Sequence, residues 1–299
     1  MDVAEPVVEA VAGNPYRRYG WLSPADRRAL LRKDLLELEP AWSWSTSEAM
    51  VALADAPFDS ECLGLPVASL VAHCLPLTPD TMQTLTAATD EALRVGGWLL
   101  TSARAYEPDE QVVQLLAPLG FRPAGRLLHL LAPTAQPSRR PEGGPEVRLA
   151  DAADAPIFRS FARDFYTNRL LGTPELDSTR VRQLYAAWAA NDLGGRMTLN
   201  LMATQAGSPA GFLSAGTRAP DGADGEVALI DLIVVDGTRR RMGVGRALLV
   251  EAMRRLASQG VPKVELGVSS TNTAAKALYA SLGFEEIGTS GDYLRWGGA

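Results

Sequence analysis

The residues best suited to chemistry lie in one short stretch, Arg240-Arg241-Met242-Gly243-Val244-Gly245, between an apolar run and an amphipathic one. An apolar strand, a tight loop and a helix entered through two glycines make an anion site. The first turn of a helix leaves backbone N–H groups without intrahelical partners, and the helix dipole adds positive potential there. Glycines let the backbone come close to a phosphate without a Cβ in the way. Arg239, Arg240, Arg241 and Arg246 add formal charge around the loop. The pattern therefore predicts a ligand that carries phosphate. Two other phosphate motifs fit less well. A P-loop needs Gly-Lys-Ser/Thr at the helix start, and Gly245-Arg246-Ala247 has neither lysine nor hydroxyl. A dinucleotide loop would find its acid in Glu265, twenty residues on. It would also need glycine where Leu248 stands, and seven residues separate Val235 from Gly243. A basic, solvated helix start with no ligand is the remaining alternative.

The elements that must hold this loop follow from periodicity. The run 227–235 is the most apolar strand in the sequence, and 243–259 reads as a helix stopped by Gly260 and Pro262. A strand at 264–268, a helix at 273–282 and closing strands at 284–287 and 293–296 follow. Upstream come a strand at 147–149 and helical stretches at 152–165 and 177–191. The second carries Val181, Leu184, Tyr185 and Trp188 at helical spacing. A hairpin at 198–204 and 210–217 turns around Gly207-Ser208-Pro209. Strands interleaved with helices predict an α/β (α+β) fold.

The 299 residues are long for one compact domain and suit two of roughly 150 each. The stretch 136–146, rich in Pro, Gly and charge, reads as a linker between an N-terminal domain at 1–135 and a C-terminal one at 147–299. The N-terminal part echoes the end of the C-terminal part. Strand 98–102, helix 110–117 and Leu119-Gly120-Phe121 match strand 264–268, helix 273–280 and Leu282-Gly283-Phe284, as an internal duplication would give. The first copy has no cofactor loop: Leu75-Pro76-Leu77-Thr78-Pro79 contains no glycine, and Leu116 stands where the later copy has Tyr279.

Composition sets the outer bounds. A hydrophobic share of 46%, a charged share of 21% and a net charge of −6 are those of a water-soluble globular chain. They give no global pull toward nucleic acid or membrane. No run reaches the ~18 apolar residues of a membrane span, and the acidic start MDVAEPVVEA lacks the basic end of a secretory signal, so a cytoplasmic protein is expected. Cys62, Cys74, His73 and His129 are the only cysteines and histidines and have no metal-site spacing, so no metal is expected.

The segment 232–249, with its Gln/Arg-x-x-Gly-x-Gly/Ala core, resembles the acetyl-CoA motif of the GCN5-related N-acetyltransferase (GNAT) superfamily. Asn272, the run 275–279, Leu282, Gly283 and Phe284 resemble that family's second motif, in the right order. One departure is Arg241, where many members have glycine. The resemblance spans roughly residues 147–296 and implies a mixed central sheet flanked by helices, preceded here by a degenerate GNAT-like unit. It implies that acetyl-CoA, or another short acyl-CoA, is held at Arg240, Arg241, Met242, Gly243, Val244, Gly245 and Arg246. The backbone of Ile233, Val234 and Val235 would pair with the pantetheine arm, and Asn272 would lie near its sulfur. Tyr279 would protonate the departing thiolate. The acids in or beside the central strand, Asp231 and Glu226, would accept the amine's proton.

The two-unit layout is similar to TDP-fucosamine acetyltransferase and related nucleotide-amino-sugar enzymes. This implies a small-molecule amine acceptor, an amino sugar or nucleotide-linked amino sugar, with Arg169, Tyr185 and Trp188 on the acceptor side. Ordinary core packing is the competing reading for the two aromatics. Acylation of a protein N-terminus or lysine, or acyl-CoA binding without turnover, are the alternative functions. The protein is expected to act as a monomer or homodimer.

Overall fold

The computed structural model describes residues 39–107, 109–135, 144–165, 170–171, 173–218 and 227–297. Their contacts divide them into two units. The first comprises described residues up to Leu128 together with those from Ile287 onward; the second runs from His129 to Glu286.

The first unit contains β1 (Trp42–Ser45), β2 (Ala49–Asp55), α1 (Pro57–Leu63), β3 (Val67–Cys74), α2 (Pro79–Val95), β4 (Leu100–Tyr106) and α3 (Glu110–Leu116). It also takes the start of β5 (Arg122–Pro133) and most of β11 (Glu285–Trp296). The order β1-β2-β3-β4-β11 is antiparallel except for the parallel pair β3/β4, registered from Val67↔Leu100 to Leu70↔Ala103. Val51, Leu53, Leu70, Leu85, Leu115 and Phe121 form its core. At the entry to α2 the Thr78 hydroxyl accepts the Thr81 N–H at 3.2 Å, and proline follows at Pro79. A side-chain cap and a residue without an N–H leave that helix start little to offer an anion.

β11 differs from the sequence expectation of two short strands. The polar run through Gly288, Thr289, Ser290, Gly291 and Asp292 reads as a turn, yet it stays extended. It pairs antiparallel with β4 from Ser290↔Tyr106 to Trp296↔Leu100. A cross-strand ion pair, Arg104 Nε to Asp292 Oδ1 at 2.8 Å, supports the weakest part of the strand.

The second unit contains β6 (Glu146–Leu149), α4 (Ala155–Ala162), α5 (Ser178–Asn191), β7 (Leu199–Gln205), β8 (Ser208–Arg218) and β9 (Val227–Val235). Then come α6 (Val244–Ser258), β10 (Lys263–Ser269) and α7 (Thr273–Ala280). Strand order is β10-β9-β8-β7-β6, with β9 and β10 parallel and the rest antiparallel. The helix expected over 152–165 is shorter. Asp151 and Asp154 form a reciprocal capping box around a single tight turn, and Pro156 then opens α4. Successive side chains of a strand face opposite ways. Accordingly, Phe212 on β8 stacks on Phe158 of α4, ring centroids 4.1 Å apart, while a Cβ built at Gly211 would touch Val244 of α6. The helices thus cover both faces of this sheet.

The echoed segments share local geometry. Gly120 and Gly283 both have φ near +80°, each just past a helix. The N–H of Phe121 reaches Leu116 O at 3.2 Å, and that of Phe284 reaches Tyr279 O at 3.1 Å. Both are the long return bond of a glycine-terminated helix.

Candidate active site

Two features of the second unit converge on the end of β9. The first is a parting of strands. β9 and β10 keep parallel register from Lys263↔Val227 to Leu266↔Ile230, and there the register ends although β9 runs on to Val235 and β10 to Ser269. On its other side β9 stays paired with β8 as far as Gly211↔Val235. Among the described residues, the β10-side backbone edge of residues 231–235 therefore has no strand registered to it. At the same point β9 bulges: Ser214 pairs with Leu232 and Ala215 with Ile230, so Asp231 is the extra residue. A bulge bends a strand and re-aims a side chain.

The second feature is the start of α6. Asp236 accepts the Thr238 N–H at 2.7 Å and holds a tight turn at 237–239. Its carboxyl is held below the usual range by the Thr238 hydroxyl first, with Arg239 and Arg240 adding to the effect. The chain then enters α6 through Gly243, which stands at the cap position with φ +82° and provides no side chain to accept the first-turn amides. Residues 240–243 are exposed. The two glycines serve different needs. A Cβ at Gly243 would meet nothing within 4 Å, so the left-handed backbone requires that glycine. A Cβ at Gly245 would lie 3.1 Å from Leu278 Cδ2 and 3.6 Å from Val235 Cγ2, so this position faces the packing of α6 against α7 and β9. The missing Cβ of Gly245 points inward, toward α7 and β9. Arg241, where glycine is common in the resembled family, has φ +62° and adopts the left-handed form at a cost of about 1–2 kcal/mol.

Asn272 is the cap of α7, its Oδ1 accepting the Ala275 N–H at 3.2 Å. Tyr279 lies on the same helix, 5% exposed, with its ring 5.6 Å from Phe284. Burial pushes its phenol well above the ordinary value. Ile233 and Val235 are half-buried on β9, and Val234 is buried. Arg246 donates to the Ser281 hydroxyl at 3.0 Å, tying the start of α6 to the end of α7.

Asp231 does not face solvent alone. Its Oδ2 accepts the Trp188 indole N–H at 2.6 Å and forms an ion pair with Arg196. Trp188 in turn belongs to an aromatic row: Phe165 stacks on Tyr185 at 5.2 Å, Tyr185 on Trp188 at 5.6 Å, and the Arg196 guanidinium lies 5.4 Å from the Trp188 ring centre. Tyr185 is buried and Trp188 half-buried. Asp192, at the end of α5, is fully buried and also pairs with Arg196. Burial, and next the charge of Asp231, push its carboxyl up to about 7. Sequence reasoning missed Asp192 and Arg196. Both precede β7 at an unremarkable spacing, and only the fold brings them to the bulge. Arg169 and Glu226 lie outside the described residues. Among the described residues no three His, Cys, Asp or Glu side chains are grouped to hold a metal, and no helix is long and apolar enough to cross a membrane. His129 lies in the second unit with Nδ1 3.7 Å from Glu265.

The second unit's mixed sheet, with its parting parallel strands and glycine-entered helix, has the mixed α/β layout of the GNAT fold. Residues 156–284 match the model of the Acetyltransferase (GNAT) family. Over its whole length the chain is similar in structure to a tandem GNAT protein from the clavulanic acid biosynthesis pathway, with TM-score 0.62, 18% identity, and coverage of 99% of this chain and 94% of that one. A GCN5-related N-acetyltransferase from Sphaerobacter thermophilus gives TM-score 0.61 at 16% identity, over 98% of this chain and 90% of that one. In sequence, a mycothiol acetyltransferase from Thermobispora bispora is 40% identical over 84 residues, which is 28% of this chain and 28% of the relative. A [Ribosomal protein bS18]-alanine N-acetyltransferase from Escherichia coli K12 is 38% identical over 92 residues, 31% of this chain and 58% of the relative. The chain thus aligns with little more than a quarter of the first relative's length and somewhat over half of the second's.

Proposed function

We propose that this protein is an acetyl-CoA-dependent N-acetyltransferase that acts on a primary amine of a small molecule. The observation that carries the proposal is a coincidence in space: the opened backbone edge at 231–235 leads to the uncapped, arginine-flanked start of α6. An extended chain of amides ending in a diphosphate fits that pair of features. The backbone of Ile233 to Val235 is assigned to the amide arm, as a strand edge pairs with a peptide. The amides of Arg241 to Arg246 are assigned to the diphosphate, and Asn272 to the arm near its sulfur. When bound, the thioester supplies the activated acyl group.

The chain's own groups move the protons. The acceptor must be neutral to attack, and Asp231, re-aimed by the bulge, takes its proton directly or through water. Tyr279, protonated throughout the neutral range because burial raises its phenol, gives a proton to the thiolate that leaves. A thiol's ordinary value near ~8.5 makes that transfer feasible. Holding amine and thioester together supplies much of the rate. Tyr185 and Trp188 form the acceptor wall, and Arg169 a contact for an anionic part of the acceptor.

An amino sugar, free or nucleotide-linked, suits an acceptor side built from an aromatic row ending in carboxylates. The relatives' names span small-molecule and protein acceptors, so protein acylation is the second reading. The test incubates the full chain with acetyl-CoA and, separately, nucleotide-linked amino sugars, other small amines and protein substrates, each followed by mass spectrometry. Acetyl gain on a small amine is expected. Gain on proteins alone, or on nothing, contradicts the proposal.

A further inference from the structure

Arg196 is a surface residue, its side chain 42% exposed, yet its guanidinium enters a cradle made of three buried or half-buried groups. Asp192, with no exposure, stands at the C-terminal cap of α5. Asp231, its side chain 13% exposed, comes from the bulge of β9. Trp188 has its ring under the guanidinium and its indole N–H on Asp231. Arg196 bridges both acids.

We propose that Asp192 is a positioning residue that acts through Arg196 on Asp231, fixing the state and orientation of the carboxylate aimed at the acceptor amine. This inference rests on the transferase reading for its purpose, though not for its measurement. As two bare carboxylates, the acids offer each other only lone pairs. Together with one guanidinium they leave an uncompensated negative charge in a buried place, which is costly. A single proton held between them removes the excess charge and makes a hydrogen bond. The charged groups acting on Asp192 are Asp231 from β9 and Arg196 from the turn after α5, the first raising and the second lowering its carboxyl. The two carboxyls share one guanidinium, so protonation is a property of the pair. With the pair singly protonated, Asp231 is held by Trp188 and Arg196 at a fixed angle. When the proton leaves, the second negative charge pulls Arg196 harder and makes Asp231 a stronger proton acceptor.

The Trp188 indole N–H reports this directly, because its proton shift follows the charge on the oxygen that accepts it. The experiment records the indole N–H signals of the 15N-labelled full chain from pH 5 to 9, without ligand, and assigns Trp188 by its loss in Trp188→Phe. The expected result is an inflection between pH 6 and 8 in the wild type that disappears in Asp192→Asn. In Arg196→Gln, a surface change, the inflection should move upward by at least half a pH unit, since the stabilising cation is gone. A flat wild-type signal, an inflection that survives Asp192→Asn, or one unmoved by Arg196→Gln overturns the inference. If Asp192→Asn does not fold, the wild-type and Arg196→Gln titrations decide alone. Acetyl-CoA binding, measured beside it, separates the two failures. Binding with a flat indole signal removes only the role of Asp192, whereas an inflection without binding removes the transferase reading.

Discussion

The two glycines of the loop allow a clean dissection. Gly243→Ala puts a side chain into open space, with nothing within 4 Å, but at φ +82°. Its cost is conformational, about 1–2 kcal/mol for an L-residue held left-handed. The loop can relax to recover that energy, and the ligand must then restore it on binding. Since 1.4 kcal/mol is about tenfold in affinity, acetyl-CoA should bind roughly 5- to 30-fold more weakly. Gly245→Ala is the opposite case. Its Cβ would press on the end of a flexible side chain, Leu278, at 3.1 Å, a small cost. Removing a helical glycine returns up to about 1 kcal/mol, so stability should change by less than ~0.5 kcal/mol. The added methyl points away from the amides, and affinity should stay within about twofold. Gly245→Val adds two more carbons to the same gap and should cost about 1–3 kcal/mol as overpacking. Calorimetric titration with acetyl-CoA and thermal unfolding measure both quantities. A greater loss of affinity in Gly245→Ala than in Gly243→Ala would refute the division of labour.

Three further outcomes follow from the site and its scaffold. Tyr279→Phe should lower the turnover of an accepted amine by at least about a hundredfold, with acetyl-CoA affinity and stability nearly unchanged; full turnover removes the general-acid role. The carboxyl of Asp192 is raised from 3.8 to about 7, so its contribution to stability is fully present below about 3.8 and is lost as pH rises through about 7. Between pH 6 and 8 this amounts to roughly 1 kcal/mol, or about 2–4 °C in unfolding temperature. The depressed carboxyls of Asp154, Asp236 and Glu251 contribute fully across that window, so the slope should be absent in Asp192→Asn. Finally, Thr78→Ala should cost the first unit about 1 kcal/mol through loss of the α2 cap and leave acetyl-CoA affinity unchanged. A drop in affinity would mean that the first unit takes part in holding the cofactor.

Much of this was legible in the sequence because it depends on local rules. Gly243 and Gly245 announced a loop and helix start, and β9 announced itself by nine nearly apolar residues. The Leu-Gly-Phe echoes foretold two equivalent helix ends. Their shared bond geometry comes from the same need for a left-handed glycine. Other features depend on partners far along the chain. Nothing in the polar run 288–292 says that Arg104 will meet Asp292, so a long strand read as two short ones. The bulge at Asp231 is a property of pairing with β8, and periodicity within β9 does not reveal it. Asp192 and Arg196 gain meaning only from Asp231, 39 and 35 residues away in the sequence.

The most direct test of the whole account is equilibrium binding of acetyl-CoA to the full chain, with NADH as control. At 100 times its dissociation constant, acetyl-CoA should raise stability by about 2.7 kcal/mol, and its affinity should fall in Gly243→Ala. Stabilisation by NADH with none from acetyl-CoA or any other acyl-CoA would contradict the account at its root.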